Sequence, residues 1–555
     1  MKVSKKLILP LILLILSCIP LFDLARPGMF LSHDGEAHIG RLASFYRSLT
    51  EGNLIPRWGG TLNGGFGHPV LMFLFPLPMY LGSIFHFLGF SFIDSIKLIF
   101  GLSFIASGLA MYLWIKEIWG EEAGFVAGLL YMFAPYRFVD LYVRGAIGEN
   151  SAFVWPPLIC YFLLILSHKF KWRYLVGGSL SLAGLILSHN ALSLMFLAII
   201  FGYTGYLIFI SRKKSQSIIY YLFSILLGFG LSAFFWVPSF FEGKYTLRDI
   251  ILSSGEFINH FPNLSQLFNS PWGYGGSPAG FSLQIGIIQW LVIFTSPIVL
   301  LFLWRRKDKY TIFYGFLIIV FVIILFLLLP ISIPVWQKIS LLQKFQFPWR
   351  FLSLAVFIPA VLAGGLIYIL PKKTKLVAVL SLLLVSVWLN KDYCHAKGYF
   401  VKSDRYFSEE YRGTTDTGES SPRWGIRGFD GEVRKDNIEV IGGKAEVRQI
   451  KRLSNLHLYE VKVISEKAQF LENTLYFPGW EVLIDGKKTS VEFQDPNHRG
   501  LLTFFVPQGQ HETKVVFTET RLRRVADLLS LAPLIILSLG GILIKSKLWR
   551  RFRWS

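Results

Sequence analysis

The sequence predicts a polytopic α-helical membrane protein that carries an extracytoplasmic, all-β, sandwich-like domain. Three observations predict it. The 555-residue chain is 53% hydrophobic and 16% charged, and apolar runs of roughly 17–25 residues, the length that crosses a hydrocarbon core, recur through most of it. Lys and Arg gather in short clusters between those runs, as in cytoplasmic loops. Residues 391–523 then change character, to short stretches of alternating apolar and polar side chains.

The first segment, ending at Ile15-Leu16-Ser17-Cys18, has the basic start and apolar run of a signal peptide, and its end faintly resembles a lipoprotein cleavage site. The further spans make an uncleaved first helix, about Leu7–Phe22, the simpler reading. Later apolar runs cover approximately 69–90, 93–115, 122–138, 150–166, 174–188, 191–211, 216–238, 283–304, 310–330, 350–370, 375–390 and 524–544. Val70–Phe90 stands apart, because it carries Pro76, Pro78 and His86 and is followed by almost no loop.

Charge decides how to treat it. With the amino terminus (Lys2, Lys5, Lys6) cytoplasmic and Val70–Phe90 lying at the outer interface, every later basic cluster falls inside. These are Lys116, Lys169–Arg173, Arg212–Lys214, Arg305–Lys309, Lys372–Lys375 and the tail Lys545–Arg553. Counting Val70–Phe90 as a full span would move all of them outside. The expectation is therefore twelve spans plus one juxtamembrane segment in the plasma membrane, with both termini cytoplasmic. Residues 1–390 form the transmembrane domain, 391–523 the β-rich extracytoplasmic domain, and 524–555 the last span and basic tail. The net charge of +21 follows the loop clusters, so nucleic acid is not an expected partner.

Within 391–523, the runs 439–447, 456–463 and 501–507 have the period of half-buried strands. Asp485-Gly486 marks a hairpin, since both residues tolerate positive φ. Cys18, Cys160 and Cys394 are too scattered for a disulfide framework or a thiolate metal site. No Walker loop, dinucleotide-binding glycine pattern or His-Glu-Xaa-Xaa-His sequence is present.

Polar chemistry collects on the outer face, in loops 24–69, 139–149, 239–282 and 331–349 and at the end of the fifth span. Ser32–Pro69 is the densest stretch. Asp34 and His38, four apart, can share a helix face, and Ile39, Leu42, Phe45, Tyr46 and Leu49 follow at helical spacing. A carboxylate here can act as general base, or Asp34, Glu36 and His38 can hold a divalent cation; the plainer role for Asp34 is to cap the helix. The second outer loop brings Arg137, Asp140, Arg144 and Glu149 beside the membrane, as an ion-pair network or an anion site. His189, Asn190, Trp349 and Arg350 sit at outer ends of spans; Trp349 has a plain role in an aromatic belt and Arg350 a plain role in snorkelling.

Several motifs together carry a resemblance. They are His33-Asp34-Gly35-Glu36-Ala37-His38 with Arg41, Asn53–Trp58 with Arg57, Asn63–Pro69, Phe75–Tyr80, Ala134–Gly145, Ser188–Asn190 and Phe347–Phe351. As a set they resemble the bacterial and archaeal family called "membrane protein, 6-pyruvoyl-tetrahydropterin synthase-related", over about residues 30–390. Tyr476–Lys487 is similar to the carboxy-terminal domain of YfhO-type membrane glycosyltransferases. The layout looks like the GT-C glycosyltransferases, in which an acid in the first outer loop is catalytic and a second lies in the next. That resemblance implies Asp34 as the first acid, with Glu36 beside it, and Asp140 or Glu149 as the second.

It further implies a polyprenyl-phosphate-sugar donor, inverting transfer to an envelope glycan, polymer or protein, and possible use of Mg or Mn. Arg144 and Arg350 would hold the donor phosphate, with His38, Arg41, Arg57, Glu149, His189, Asn190 and Trp349 lining the substrate site. Asp34-Gly35-Glu36 stands where a plain Asp-Xaa-Asp or Asp-Glu pair is usual, and the three-histidine zinc pattern of the soluble pterin enzymes is not matched. The alternatives are a transporter of lipid-linked saccharide, which a repeated-half architecture would favour, and a non-catalytic envelope scaffold. No fixed-period repeat is visible.

Overall fold

The computed structural model describes residues 5–545 apart from 169, 253, 277–279, 410, 414–417 and 426–434. The basic ends that enter the charge argument, 1–4 and 546–555, and Lys169 lie outside the described residues. The chain forms a mostly helical membrane domain and an antiparallel β half-barrel.

All twelve apolar runs fall on helix. Eight helices among the described residues have the length and composition of a membrane span, and Lys214–Leu231 with Ala233–Tyr245, bent by 68°, makes a ninth if taken as one. Arg521–Lys545 is 25 residues long and Trp172–Ser188 is 17. Glu121–Met132 has only 12, about 18 Å of helix, and is buried from Ala123 onward between Phe92–Trp119 and Leu352–Ile369. It stops there because Pro135 disfavours helical backbone at Ala134, whose φ and ψ are extended. Leu291, Phe294, Ile298, Ile319 and Val322 leave apolar stripes on the outside of the bundle, as expected of surfaces that face lipid. Val70–Phe90 breaks into Val70–Phe73 and Pro76–Phe87, neither long enough to span.

Eight strands complete the fold: β1 Met29–Phe30, β2 Tyr399–Phe400, β3 Ile438–Gly442, β4 Ala445–Arg452, β5 Leu456–Leu475, β6 Trp480–Ile484, β7 Lys487–Thr489 and β8 Leu501–Phe517. β1 and β2 pair with Met29 opposite Phe400, which stitches the first loop to the segment leaving the membrane domain. The remaining six form one antiparallel sheet in the order β3-β5-β8-β6-β7, with β4 also on β5. β5 and β8 pair from Leu456↔Val516 to Leu475↔Leu501, with two register shifts that bend the ladder. Asp485 and Gly486, at φ 49° and 77°, make the expected tight turn between β6 and β7.

The glycine-rich stretch 58–73 is the joint between the two parts. Trp58, Phe66, Met72 and Phe73 pack into the same cluster as Phe470, Phe477, Trp480 and Phe504 of the β domain. The Leu475 N–H donates to the Phe66 carbonyl at 2.9 Å. Gly67, at φ 77°, lies directly against the Trp58 indole, so a side chain there would be strained and would collide with the ring.

Candidate functional site

Asp34 is positioned by its backbone. The N–H groups of His33 and Asp34 donate to the carbonyls of Val143 and Arg144 at 3.0 and 2.9 Å, locking the first outer loop onto the second. Close approach requires glycine on both sides: a Cβ on Gly35 or Gly145 would run into the Ser32 hydroxyl, and Gly145 is left-handed at φ 63°. Asp34 occupies the N-cap of the helix Gly35–Thr50, but its side chain makes no capping bond. Its carboxylate has no hydrogen bond or ion pair among the described residues. Ile39, Leu42 and Phe45 bury the inner face of that helix and hold its acidic start in place.

The second loop centres on Arg144. Val139–Arg144 forms a π-helical turn, and the Arg144 guanidinium donates to Asp140 Oδ1 through Nη1 and to Glu149 Oε1 through Nη2, both at 2.8 Å. Tyr136 donates its hydroxyl to Glu149 Oε2 at 3.1 Å, and Arg350 Nε lies 3.4 Å from Glu149 Oε1. The Trp349 ring lies under Arg144 at 4.6 Å. Asp140 is fully buried; burial and the neighbouring Glu149 push its carboxyl well above the usual range, against the pull of Arg144 and Arg137. The loop is thus an ion-pair network in which Arg144 is shared by two carboxylates.

A cavity of about 620 Å³ opens in front of this network. His33, Asp34, His38, Arg41, Arg144, Glu149, His189, Asn190, Trp349 and Arg350 all line it, so four separate segments of the chain converge on one space. His38 accepts from Arg41 at 3.2 Å through Nδ1; burial, then the Arg41 charge, holds its pKa well below the ordinary histidine value, and it stays neutral. His189 accepts the Leu192 N–H through Nδ1, and the Asn190 amide donates to the Phe73 carbonyl at 2.9 Å. Trp349 is buried with its indole N–H unpartnered among the described residues.

Three expected site residues lie elsewhere. Glu36 faces Lys402 across 2.7 Å and does not line the cavity. Asp140 sits behind Arg144 with no exposure. Arg57 clasps Glu519 and Asp527, each at 2.6 Å, and the Phe234 carbonyl, tying the first loop to the last helix. A buried arginine needs paired acids, and these two supply them. The sequence reading overlooked Lys344 and Arg248, which also line the cavity. Both are charged residues in expected outer loops, and Lys344 lies six positions before Arg350.

The lining also carries an apolar set, Leu194, Leu197, Phe229, Phe235, Trp236 and Phe240. Leu194 and Phe240 are exposed on the bundle surface, so this set reaches the side of the bundle. The donor set does not fit a resident metal. Among the described residues no three His, Cys, Asp or Glu side chains group as ligands, and Glu36 and His38 are already engaged with Lys402 and Arg41.

Fold and site together define a polytopic helical membrane protein with a charged cavity lined by the loops between its helices. The chain belongs to the 6-pyruvoyl-tetrahydropterin synthase related family of membrane proteins, whose model matches residues 71–394. An uncharacterised protein of Lactococcus lactis subsp. cremoris (strain MG1363) is 24% identical over 271 residues, 47% of this chain and 44% of that protein. The chain thus spans less than half the length of that relative.

Two solved structures are similar in part. The mycobacterial arabinofuranosyltransferase AftD aligns with a TM-score of 0.42 and 15% identity, over 76% of this chain and 28% of that one. The Archaeoglobus fulgidus oligosaccharyltransferase in its apo form aligns with a TM-score of 0.40 and 13% identity, over 74% and 56%.

Proposed function

We propose that this protein is an inverting glycosyltransferase that takes a sugar from a polyprenyl-phosphate donor and passes it to an envelope acceptor at the outer face of the membrane. The observation that carries the reading is the Asp34 carboxylate. It lines the cavity on a fixed backbone without a partner among the described residues, whereas Glu36, Glu149 and Asp140 are each held by a cation. A general base must be positioned yet free to accept a proton, and Asp34 alone of these four acids meets both conditions.

The acceptor hydroxyl oxygen attacks the anomeric carbon while its proton passes to Asp34. The bond from that carbon to the phosphate oxygen breaks, and the polyprenyl phosphate leaves as an anion. Arg144 is paired with Glu149 and hydrogen-bonded to Asp140, so its part is to hold Glu149 and the Trp349 ring in place. Arg350 and Lys344 are better placed to receive the leaving phosphate. Arg350 keeps Nη2 without a hydrogen bond, and Lys344 has no ion pair, both among the described residues. The apolar part of the lining, with Phe229, Trp236 and Phe240, suits a prenyl chain entering from the bilayer. The charge asymmetry of the loops supports an outward-facing site.

The direct test is a structure of the protein in nanodiscs with undecaprenyl phosphate. The expected result is phosphate density within hydrogen-bond reach of Arg350 or Lys344, on the Asp34 side of the cavity. A lipid phosphate bound only outside this cavity would overturn the assignment.

A further inference from the structure

A second cavity, of about 960 Å³, lies where the β domain meets the helix Gly35–Thr50. Its walls come from three places: Arg47 with Gly60 and Thr61 from the first loop, Tyr406, Glu409, Tyr411 and Arg412 from the segment after β2, and Gln449–Ser454 with His457 around β4. Arg47 lies 13 positions along the helix from Asp34, about 20 Å of axial rise. The two cavities share no lining residue.

The charges here do not cancel. Arg452 is fully engaged, donating to Glu472, Tyr459 and Thr474, and Glu409 is held by Arg405 at 2.6 Å. Arg47 gives only its Nε to Glu51, while Lys451 and Arg412 form no ion pair among the described residues. Two cationic heads, Arg412 and Lys451, therefore border the space without an ion-pair partner among the described residues. Deeper in the wall, the hydroxyls of Thr61 and Ser454 are unpartnered among the described residues, and the two side chains are 5% and 4% exposed. The remaining lining is mostly polar, with Gln449 and His457 beside these two residues. Tyr406 and Tyr411 add ring faces, and of the fourteen lining residues only Ile450 and Leu453 are aliphatic. A lipid tail would meet the opposite composition.

We propose that this inter-domain cavity binds an anionic saccharide chain, one bearing carboxylates or phosphodiesters along a hydroxylated backbone. Arg412 and Lys451 meet its acidic groups, the Tyr406 and Tyr411 rings meet sugar faces, and the polar lining around Gln449 meets its hydroxyls. The inference rests on the glycosyltransferase reading in taking the chain to be the acceptor, held in the β domain while its growing end reaches toward Asp34. The binding itself is measurable without any transfer.

The test uses full-length protein in nanodiscs and three probes of matched length: oligogalacturonate, a glycerol-phosphate oligomer and the neutral maltoheptaose. At least one anionic probe is expected to bind about tenfold or more tighter than maltoheptaose, with an affinity that falls as salt rises. The Arg412→Glu/Lys451→Glu double variant is expected to lose about tenfold of that affinity, while slow release of sugar from the donor to water, read at the other cavity, stays unchanged. Asp34→Asn should leave the anionic probe binding as tightly as before. That arm separates failure of the transferase reading from failure of this one. Equal binding of neutral and anionic chains, no binding of any probe, or unchanged affinity in the double variant would each overturn the proposal. Which anionic probe binds more tightly decides between carboxylate and phosphodiester chains.

Discussion

Replacing Asp34 by Asn changes one atom and tests the central assignment. The carboxylate makes no bond to the described residues, and the backbone contact that fixes the residue, Asp34 N–H to the Arg144 carbonyl at 2.9 Å, survives the change. Stability should therefore stay within about 0.5 kcal/mol of the parent. Loss of a general base lowers the rate by roughly 10²–10⁴, equivalent to about 3–5 kcal/mol of barrier at 1.36 kcal/mol per tenfold. Glu149→Gln provides the contrast. That side chain is fully buried and holds Arg144, Tyr136 and the Arg350 edge, so its neutralisation should destabilise the fold by about 3–5 kcal/mol. The assay is transfer from radiolabelled undecaprenyl-phosphoryl glucose by protein in nanodiscs, alongside the thermal unfolding midpoint of each variant. Asp34→Asn retaining activity within about threefold of the parent would refute the role of base. Unfolding as early as Glu149→Gln would refute the claim that its carboxylate is unengaged.

Gly145→Ala places a Cβ against the Ser32 hydroxyl at a left-handed backbone position, so it should push the Asp34 turn away from the second loop. A misplacement near 1 Å lowers transfer by about 10²-fold, and a fully active variant would show that this contact does not set the geometry. In the β domain, burial alone would raise the Glu472 carboxyl, but Arg452 and His457 outweigh it and bring it down to about 2. Stability from this group is complete above the ordinary glutamate range and is lost as pH falls through about 2, a change on the order of 3 kcal/mol. Hydrogen exchange in β5 should report that acid loss in the parent and not in Glu472→Gln; the same acid midpoint in both would contradict it.

The sequence by itself determined the parts that depend on local composition and period. Apolar length located the helices, alternation and Asp485-Gly486 located the sheet and its hairpin, and two prolines kept Val70–Phe90 from forming one straight span. It also singled out Asp34, His38, Arg144, His189, Trp349 and Arg350, and these meet at one cavity. Only the tertiary structure decided which charges are free. Glu36 and Arg57 are as polar in sequence as Asp34, but their partners Lys402, Glu519 and Asp527 come from hundreds of residues away, whereas the Asp140–Arg144 pair, four apart, was open to the sequence as an ion-pair network. A charge's role depends on whether burial forces it into a pair, and pairing across the fold leaves no local pattern to read. The same reason hid Lys344 and the cations beside β4, whose significance lies in the carboxylates they lack.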